Sequence, residues 1–236
     1  MNASYSLGAA RVALALGDIT SFPADAIANA ANPRLAGGAG VDGDIHRVAG
    51  PQLLNACRLA RQTLPGGLLP AGRVLATPAY RLPARYVVHC VGPDYAREGD
   101  ARAWPLLADC YRHALDACRR LQVGSIAFPS IGTGNYGCPL EGAARVALRA
   151  VRDALPRRPG PELVTFVLFD QPAFHAYAQA AQALFESGPL APAEALRSAS
   201  APPPFVSRLG EFELVSSERS KSLFEKCPSR PALVLR

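Results

Sequence analysis

Two short segments of the chain contain glycines at the spacing of phosphate-binding loops. Residues 38–43 read GAGVDG and residues 132–137 read GTGNYG, so both match G-x-G-x-x-G. Glycine-rich turns at the start of a helix present backbone N–H groups and the positive end of the helix dipole to an anion. Glycines that only form tight turns would give the same pattern. The pair indicates either two dinucleotide-binding turns or two loops that hold one phosphorylated ligand.

The first segment does not fit a dinucleotide-binding turn. Such a turn needs an acidic residue about 20 positions downstream for the ribose hydroxyls, and residues 55–69 contain none. Residues 32–36 also separate the segment from the preceding apolar run, whereas the motif follows its strand directly. Asp42, inside the segment, would repel a pyrophosphate if its side chain faced inward. Hydride-transfer chemistry is therefore disfavoured, and two loops on one diphosphate is the better interpretation.

Length and composition predict a cytoplasmic globular protein. The chain has 236 residues, 49% of them hydrophobic, which is ample for a buried core. No stretch approaches the ~20 apolar residues of a membrane span, and the N-terminus lacks a signal-peptide layout. The six cysteines are scattered without metal-ligand spacing, which predicts reduced thiols and no metal site. The net charge of +6 suits anionic ligands but does not by itself indicate nucleic acid.

Six apolar runs predict strands and four periodic runs predict helices. The strands fall at 11–16, 25–31, 73–79, 85–91, 125–131 and 163–169, and the helices at 51–64, 104–122, 140–155 and 172–186. Alternating strands and helices predict a three-layer α/β domain with a largely parallel sheet over residues 1–187. Such sheets bind ligands beyond the carboxyl ends of their strands, where both glycine loops fall. Residues 188–236 follow with a Pro/Ser-rich run and are predicted to be a disordered tail.

Several spaced motifs together resemble the macrodomain family. They are GDIT (17–20), NAAN (29–32), GGAGVDGDIH (37–46), AGP (49–51), VHCVGP (88–93) and FPSIGTGNYGCP (128–139). The ordered match covers about residues 8–187 and is similar to the MacroD type, which hydrolyses O-acetyl-ADP-ribose and removes mono-ADP-ribose from acidic side chains. The resemblance implies a three-layer α/β/α macrodomain with a mixed, mostly parallel central sheet and no diffusible cofactor.

The resemblance also implies where the ligand binds. Asp18 would accept a hydrogen bond from the adenine amine, the N–H of Ile19 would meet a ring nitrogen, and Phe169 would stack on adenine. A turn residue at Asp18 and a core or rim residue at Phe169 remain the alternatives. Asn29 is included among the binding residues, although a purely structural role is favoured for it. The remaining implied contacts, with diphosphate and distal ribose, are Gly40, Val41, Gly132, Thr133, Gly134, Asn135 and Tyr136.

The role of Asp42 determines whether the sequence is interpreted as that of an enzyme. The residues alone allow two roles equally, as N-cap of a helix beginning near Gly43 or as a catalytic carboxylate. The resemblance implies the second, in which Asp42 orients a water and takes its proton as an ester at the distal ribose breaks. A nearby diphosphate would raise its pKa. Asn32 would orient the distal ribose, and His46, on the same helical face, would either orient Asp42 or pack.

The sequence departs from the pattern of the subgroup at three positions. Asp44 stands where a small residue is usual, Ala39 where glycine is usual, and Gly132 where serine is usual. Asp44 and Gly132 leave room for a non-catalytic reader of ADP-ribosylated proteins as the alternative to a hydrolase, and RNA binding through surface arginines is a third class. The implied partners are ADP-ribose, O-acetyl-ADP-ribose or mono-ADP-ribosylated proteins, with no membrane.

Overall fold

The computed structural model of the chain describes residues 2–155 and 160–185 and the backbone of residues 233–234. Eight strands form one sheet in this part of the chain: β1 (Asn2–Leu7), β2 (Ala10–Leu16), β3 (Ala26–Ala31), β4 (Val74–Pro78), β5 (Tyr86–Val91), β6 (Ser125–Phe128), β7 (Leu163–Leu168) and β8 (Leu233–Val234). Their order is β1-β2-β7-β6-β3-β5-β4-β8. Five neighbouring strands, namely β2, β7, β6, β3 and β5, are parallel to one another. The strands β1, β4 and β8 run antiparallel to their neighbours.

Helices cover both faces of the sheet. They are α1 (Val41–Ala49), α2 (Pro51–Arg61), α3 (Tyr95–Leu121), α4 (Leu140–Ala154) and α5 (Gln171–Leu184). α1 and α2 pack on one face, and α3, α4 and α5 pack on the other. The predicted three-layer α/β/α architecture with a mixed, mostly parallel sheet is confirmed.

Burial on both faces explains the nearly continuous apolar strands. On β5, Val88 and Cys90 enter the core under α3 to α5, and Val87 and Val91 enter the smaller cores under α1 and α2. A strand covered on both sides has no solvent-facing positions to fill with polar residues. His89 is therefore an exception, a fully buried polar residue on the α1 and α2 side.

All six predicted strands are present as β2 to β7, but β1 was missed. Its sequence, NASYSL, buries only Ser4 and Tyr5 and leaves the strand ends partly exposed, so it lacks the apolar run of the central strands. The helix predicted to start at residue 104 begins at Tyr95, with a left-handed break at Gly99 where φ is 66°. None of the helices in the described ranges is long and apolar enough to cross a membrane.

The predicted tail, residues 188–236, lies outside the described residues except for β8. The backbone of this short strand pairs with β4, Leu233 opposite Ala76 and Val234 opposite Leu75. No sequence pattern predicted that pairing, because two residues are too few to show a strand period.

Candidate active site

A cleft of about 380 Å³ opens at the carboxyl ends of β2, β7, β6 and β3, which are neighbours in the sheet. The segments that follow these strands form its walls. Residues 38–42 and 132–136, which belong to the two glycine loops, both line it. The prediction that the two loops share one cleft is confirmed, as expected for adjacent parallel strands.

Both loops present unpaired backbone N–H groups. Within the described ranges, the N–H groups of residues 132–136 donate to no acceptor, and neither do those of residues 38–43. A hydrogen bond between the two ends of the second loop closes it, since the N–H of Cys138 donates to the carbonyl of Gly132 at 3.0 Å. Rows of free amides in a concave loop form a site for an anion.

Two glycines of the first loop are required by its geometry. Gly40 precedes α1 as its N-cap with φ of 62°, a left-handed conformation that glycine adopts readily. Gly43 lies so close to the other end of the loop that a Cβ added there would be 2.2 Å from the carbonyl oxygen of Gly38. The loop is thus folded back on the first turn of α1, whose N-terminus faces the cleft.

The structure places Asp42 inside α1 and not at its cap. The helix begins at Val41, and no side chain caps it. The interpretation of Asp42 as an N-cap is therefore wrong, because the helix starts two residues earlier than expected. The carboxylate is 5% exposed and lines the cleft.

Two asparagine amides hold the Asp42 carboxylate. Asn29 Nδ2 donates to Oδ1 at 2.7 Å, and Asn32 Nδ2 donates to Oδ2 at 3.2 Å. Burial raises the pKa of Asp42, while the two amides and His46 oppose that rise. A desolvated carboxylate held at both oxygens is well ordered and more basic than an exposed one.

The two asparagines occupy different positions. Asn32 lines the cleft, and its amide also donates to the Gly37 carbonyl at 2.8 Å, which ties the loop to Asp42. Asn29 is fully buried and does not line the cleft. This corrects its assignment as a ligand-binding residue, since a side chain with no exposed surface contacts Asp42 instead of a ligand.

His46 lies behind Asp42 and outside the cleft. Its Nε2 is 3.6 Å from Asp42 Oδ1, too long for a hydrogen bond. Burial lowers the pKa of His46, and Asp42 opposes that shift. The geometry favours packing over a direct catalytic contact for this predicted residue.

The described residues bring three potential metal ligands together. Ligand atoms of His46, Cys57 and His89 lie within 4.8 Å of one another, although their spacing in sequence gave no metal signal. Both nitrogens of His89 already have partners, Asn29 at 3.1 Å and Thr77 at 3.0 Å. Burial raises the pKa of Cys57 to about 12, so its thiol is protonated at neutral pH. His89 thus belongs to a hydrogen-bonded network with Asn29 and Thr77, whereas His46 Nε2 has no hydrogen-bond partner among the described residues.

The residues predicted to bind adenine lie at the other end of the cleft. Asp18 is exposed, and its Oδ1 accepts from the N–H of Thr20 at 2.8 Å, so the local capping role exists. The N–H of Ile19 has no acceptor in the described part of the chain. Phe169 follows β7 at the rim and is 83% exposed. Its ring lies beside the cleft, where a planar group could stack on it.

Two further residues shape the wall near Asp42. Tyr136 is half-buried, and desolvation raises the pKa of its hydroxyl, with Asp94 and Asp42 adding to the effect. Asp44 also lines the cleft, but its carboxylate pairs with Arg47 at 3.0 Å. The negative charge that Asp44 adds to the cleft is thus partly compensated.

Fold and cleft together define a three-layer α/β/α protein whose site is built from the backbone amides of two glycine loops. The sequence profile of the Macro domain family matches residues 28–147. The chain belongs to the macrodomain family.

Similar proteins include enzymes and ligand complexes. The O-acetyl-ADP-ribose deacetylase of Cronobacter turicensis is 46% identical over 167 residues, which are 71% of this chain and 93% of the relative. The Oceanobacillus iheyensis macrodomain with ADP is 39% identical and superposes with a TM-score of 0.75, over 78% of this chain and 96% of that one. The Trypanosoma brucei macrodomain in complex with ADP-ribose is 40% identical with a TM-score of 0.64, over 71% and 68%.

Proposed function

We propose that the protein binds ADP-ribose in this cleft and hydrolyses esters at its distal ribose. Its substrates are O-acetyl-ADP-ribose and proteins that carry mono-ADP-ribose on acidic side chains. The observation that carries the proposal is the buried carboxylate of Asp42, which lines the same cleft as the unpaired amides of both loops. The similarity to an O-acetyl-ADP-ribose deacetylase supports the hydrolysis, and the similarity to a macrodomain in complex with ADP-ribose supports the binding.

The chemistry of the walls orients the ligand. The unpaired amides of residues 38–43 and 132–136 suit the diphosphate. Asp18 accepts a hydrogen bond from the adenine amine through its free oxygen, and Phe169 stacks on the ring. This leaves the distal ribose beside Asn32, Asp42 and Tyr136.

Asp42 acts as the general base in this proposal. Its carboxylate orients a water molecule and takes a proton from it as the water oxygen adds to the ester carbonyl. The carbon–oxygen bond to the ribose then breaks, and the proton passes to the ribose oxygen. The products are a carboxylic acid and a free ribose hydroxyl. The carboxylic acid is acetate in one substrate and a protein side chain in the other, so one site serves both.

The proposal is tested by calorimetry with ADP-ribose, followed by hydrolysis assays with O-acetyl-ADP-ribose and with a protein that carries mono-ADP-ribose on an acidic side chain. We expect saturable binding of one ADP-ribose per chain and release of acetate. Binding without turnover of either ester would make the protein a reader. Binding that free ADP-ribose does not compete with, and that weakens steeply with salt, would point to RNA.

Replacement of Phe169 by alanine should weaken ADP-ribose binding without unfolding the protein. Stacking of an aromatic ring on a base contributes ~1–3 kcal/mol, so we expect the Kd to rise by roughly 5- to 150-fold. The ring is 83% exposed, so its removal creates no cavity. Leu68→Ala is the matched control, because Leu68 is also an exposed apolar residue but does not line the cleft. Equal affinities of the two variants in calorimetry would contradict the stacking role.

The pH dependence of hydrolysis should report the raised pKa of Asp42. Only the ionised carboxylate accepts a proton, so kcat/KM should fall as the pH drops through this pKa. Because desolvation raises that pKa, the acidic limb should lie above the usual aspartate range. The measurement is kcat/KM against pH, with Asp153→Asn on α4 as a control that leaves the limb in place. A profile flat through this range would exclude Asp42 as the base.

A further inference from the structure

A buried chain of polar side chains runs from Asp42 across three strands of the sheet. Asn29 on β3 donates to Asp42 at 2.7 Å and lies 3.1 Å from Nδ1 of His89 on β5. His89 Nε2 lies 3.0 Å from the hydroxyl of Thr77 on β4. Asn29 and His89 are fully buried and Thr77 nearly so, and none of the three lines the cleft. Burying three polar residues that do not line the cleft is costly, so we looked for their role in what they contact.

The contacts of Asn29 fix the orientation of its amide. Its Nδ2 carries two hydrogens, of which one is donated to Asp42 Oδ1 and the other to His89 Nδ1. The reversed amide would place an oxygen 2.7 Å from the carboxylate and repel it. Asn29 Oδ1 has no hydrogen-bond partner within the described residues. The amide thus satisfies Asp42 and His89 at the expense of its own carbonyl.

The protonation state of His89 makes it a permanent acceptor. Burial lowers its pKa to about 3, with His46 adding to the effect, so the ring is neutral at neutral pH. An unprotonated Nδ1 places the ring hydrogen on Nε2, where Thr77 accepts it. The Asn29 amide nitrogen can only donate, so it selects the tautomer whose Nδ1 accepts, and the Thr77 hydroxyl accommodates that tautomer by accepting from Nε2.

We propose that His89 is a positioning residue for hydrolysis, which holds the Asn29 amide in the orientation that donates to Asp42. This inference rests on the proposed role of Asp42 as the base. Loss of the Nδ1 acceptor releases the Asn29 amide, and Asp42 loses a hydrogen bond that favours its ionised form. The carboxylate then becomes harder to ionise and less well ordered.

The test compares three variants of the full chain. His89→Leu removes the acceptor, whereas His89→Asn retains a carbonyl oxygen close to the position of Nδ1. Val88→Ala on the same strand is the matched control, since it truncates a fully buried side chain that faces the opposite core. Each variant is measured for melting temperature, kcat, KM and ADP-ribose Kd. The titration of the Asp42 carboxyl carbon is followed by NMR without ligand.

For His89→Leu we expect kcat at neutral pH to fall on the order of 10-fold, the effect of losing a hydrogen bond to a charged group. The Asp42 titration and the acidic limb of the kcat/KM profile should both move to higher pH. The Kd for ADP-ribose should stay within about twofold of the wild-type value. His89→Asn should restore both titrations. Val88→Ala should lower only the melting temperature. The other titratable groups that face Asp42, namely His46, Cys57 and Tyr136, are unchanged in all variants.

Two results would overturn the inference. One is an Asp42 titration that is the same in His89→Leu and Val88→Ala, which would make His89 a packing residue. The other is purified protein with one zinc per chain that is lost in the His89 variants, which would make the cluster a metal site. If the Asp42 titration moves but the wild type hydrolyses no ester, positioning stands and the proposed hydrolase activity fails.

Discussion

Replacement of Asp42 by alanine is expected to abolish ester hydrolysis while ADP-ribose still binds. General-base catalysis contributes roughly 10²- to 10⁴-fold, so kcat for O-acetyl-ADP-ribose should fall by that factor. In the proposed complex the diphosphate binds to backbone amides, which the substitution leaves in place. The Kd should therefore change by only a few-fold, and removal of a negative charge near the diphosphate should change it toward tighter binding. Single-turnover hydrolysis and calorimetry on the same preparation measure both quantities.

The stability of the Asp42→Ala protein distinguishes catalysis from structure. A carboxylate whose pKa is raised by burial stabilises the fold only when protonated, and this contribution is lost as the pH rises through the raised pKa. At neutral pH its removal relieves that cost, while Asn29 and Asn32 each lose an acceptor. These effects oppose each other, so we expect a small change in melting temperature. Full turnover by the variant would exclude Asp42 as the base. Loss of binding together with melting would make it a structural residue.

The sequence predicted the elements of the central sheet because burial on both faces leaves a strong signal. Residues 85–91 and 163–169 are apolar almost throughout, and β5 and β7 form there. Edge strands carry less signal, since β1 alternates serine with apolar residues and β8 has only two residues. Prediction therefore succeeded in the strands that carry the site and failed at the edges of the sheet.

The candidate site was predicted only in part, because pairing between strands is not readable from local patterns. The two loops share a cleft because β3 and β6 are neighbours. The contact of Asn29 with His89 depends on the register of β3 and β5, which places residues 60 positions apart directly opposite each other. The start of α1 depends on a left-handed backbone at Gly40, a conformation that glycine allows but does not require. This is why the sequence left Asp42 undecided between cap and catalyst.

Gly43→Ala is expected to unfold the first loop and abolish ADP-ribose binding. The added Cβ would lie 2.2 Å from the carbonyl oxygen of Gly38, a backbone atom that cannot rotate away. Gly38 must therefore move, and with it the amides of residues 38–43 and the Asn32 contact at Gly37. Steric overlap of this kind costs about 1–3 kcal/mol of unfolding free energy. Calorimetry should detect no ADP-ribose binding, and the melting temperature should fall.

The sign of the stability change separates this clash from ordinary helix propensity. Gly43 lies within α1, where alanine is favoured over glycine by about 1 kcal/mol, so a helix-only effect would raise the melting temperature. The control is Gly134→Ala in the second loop, where a new Cβ meets no atom within 4 Å, and its melting temperature should be unchanged. A Gly43→Ala protein that melts later than the wild type and binds ADP-ribose normally would show that the first loop tolerates the methyl group. In that case the close approach of Gly38 to α1 would not be what holds the amides in place.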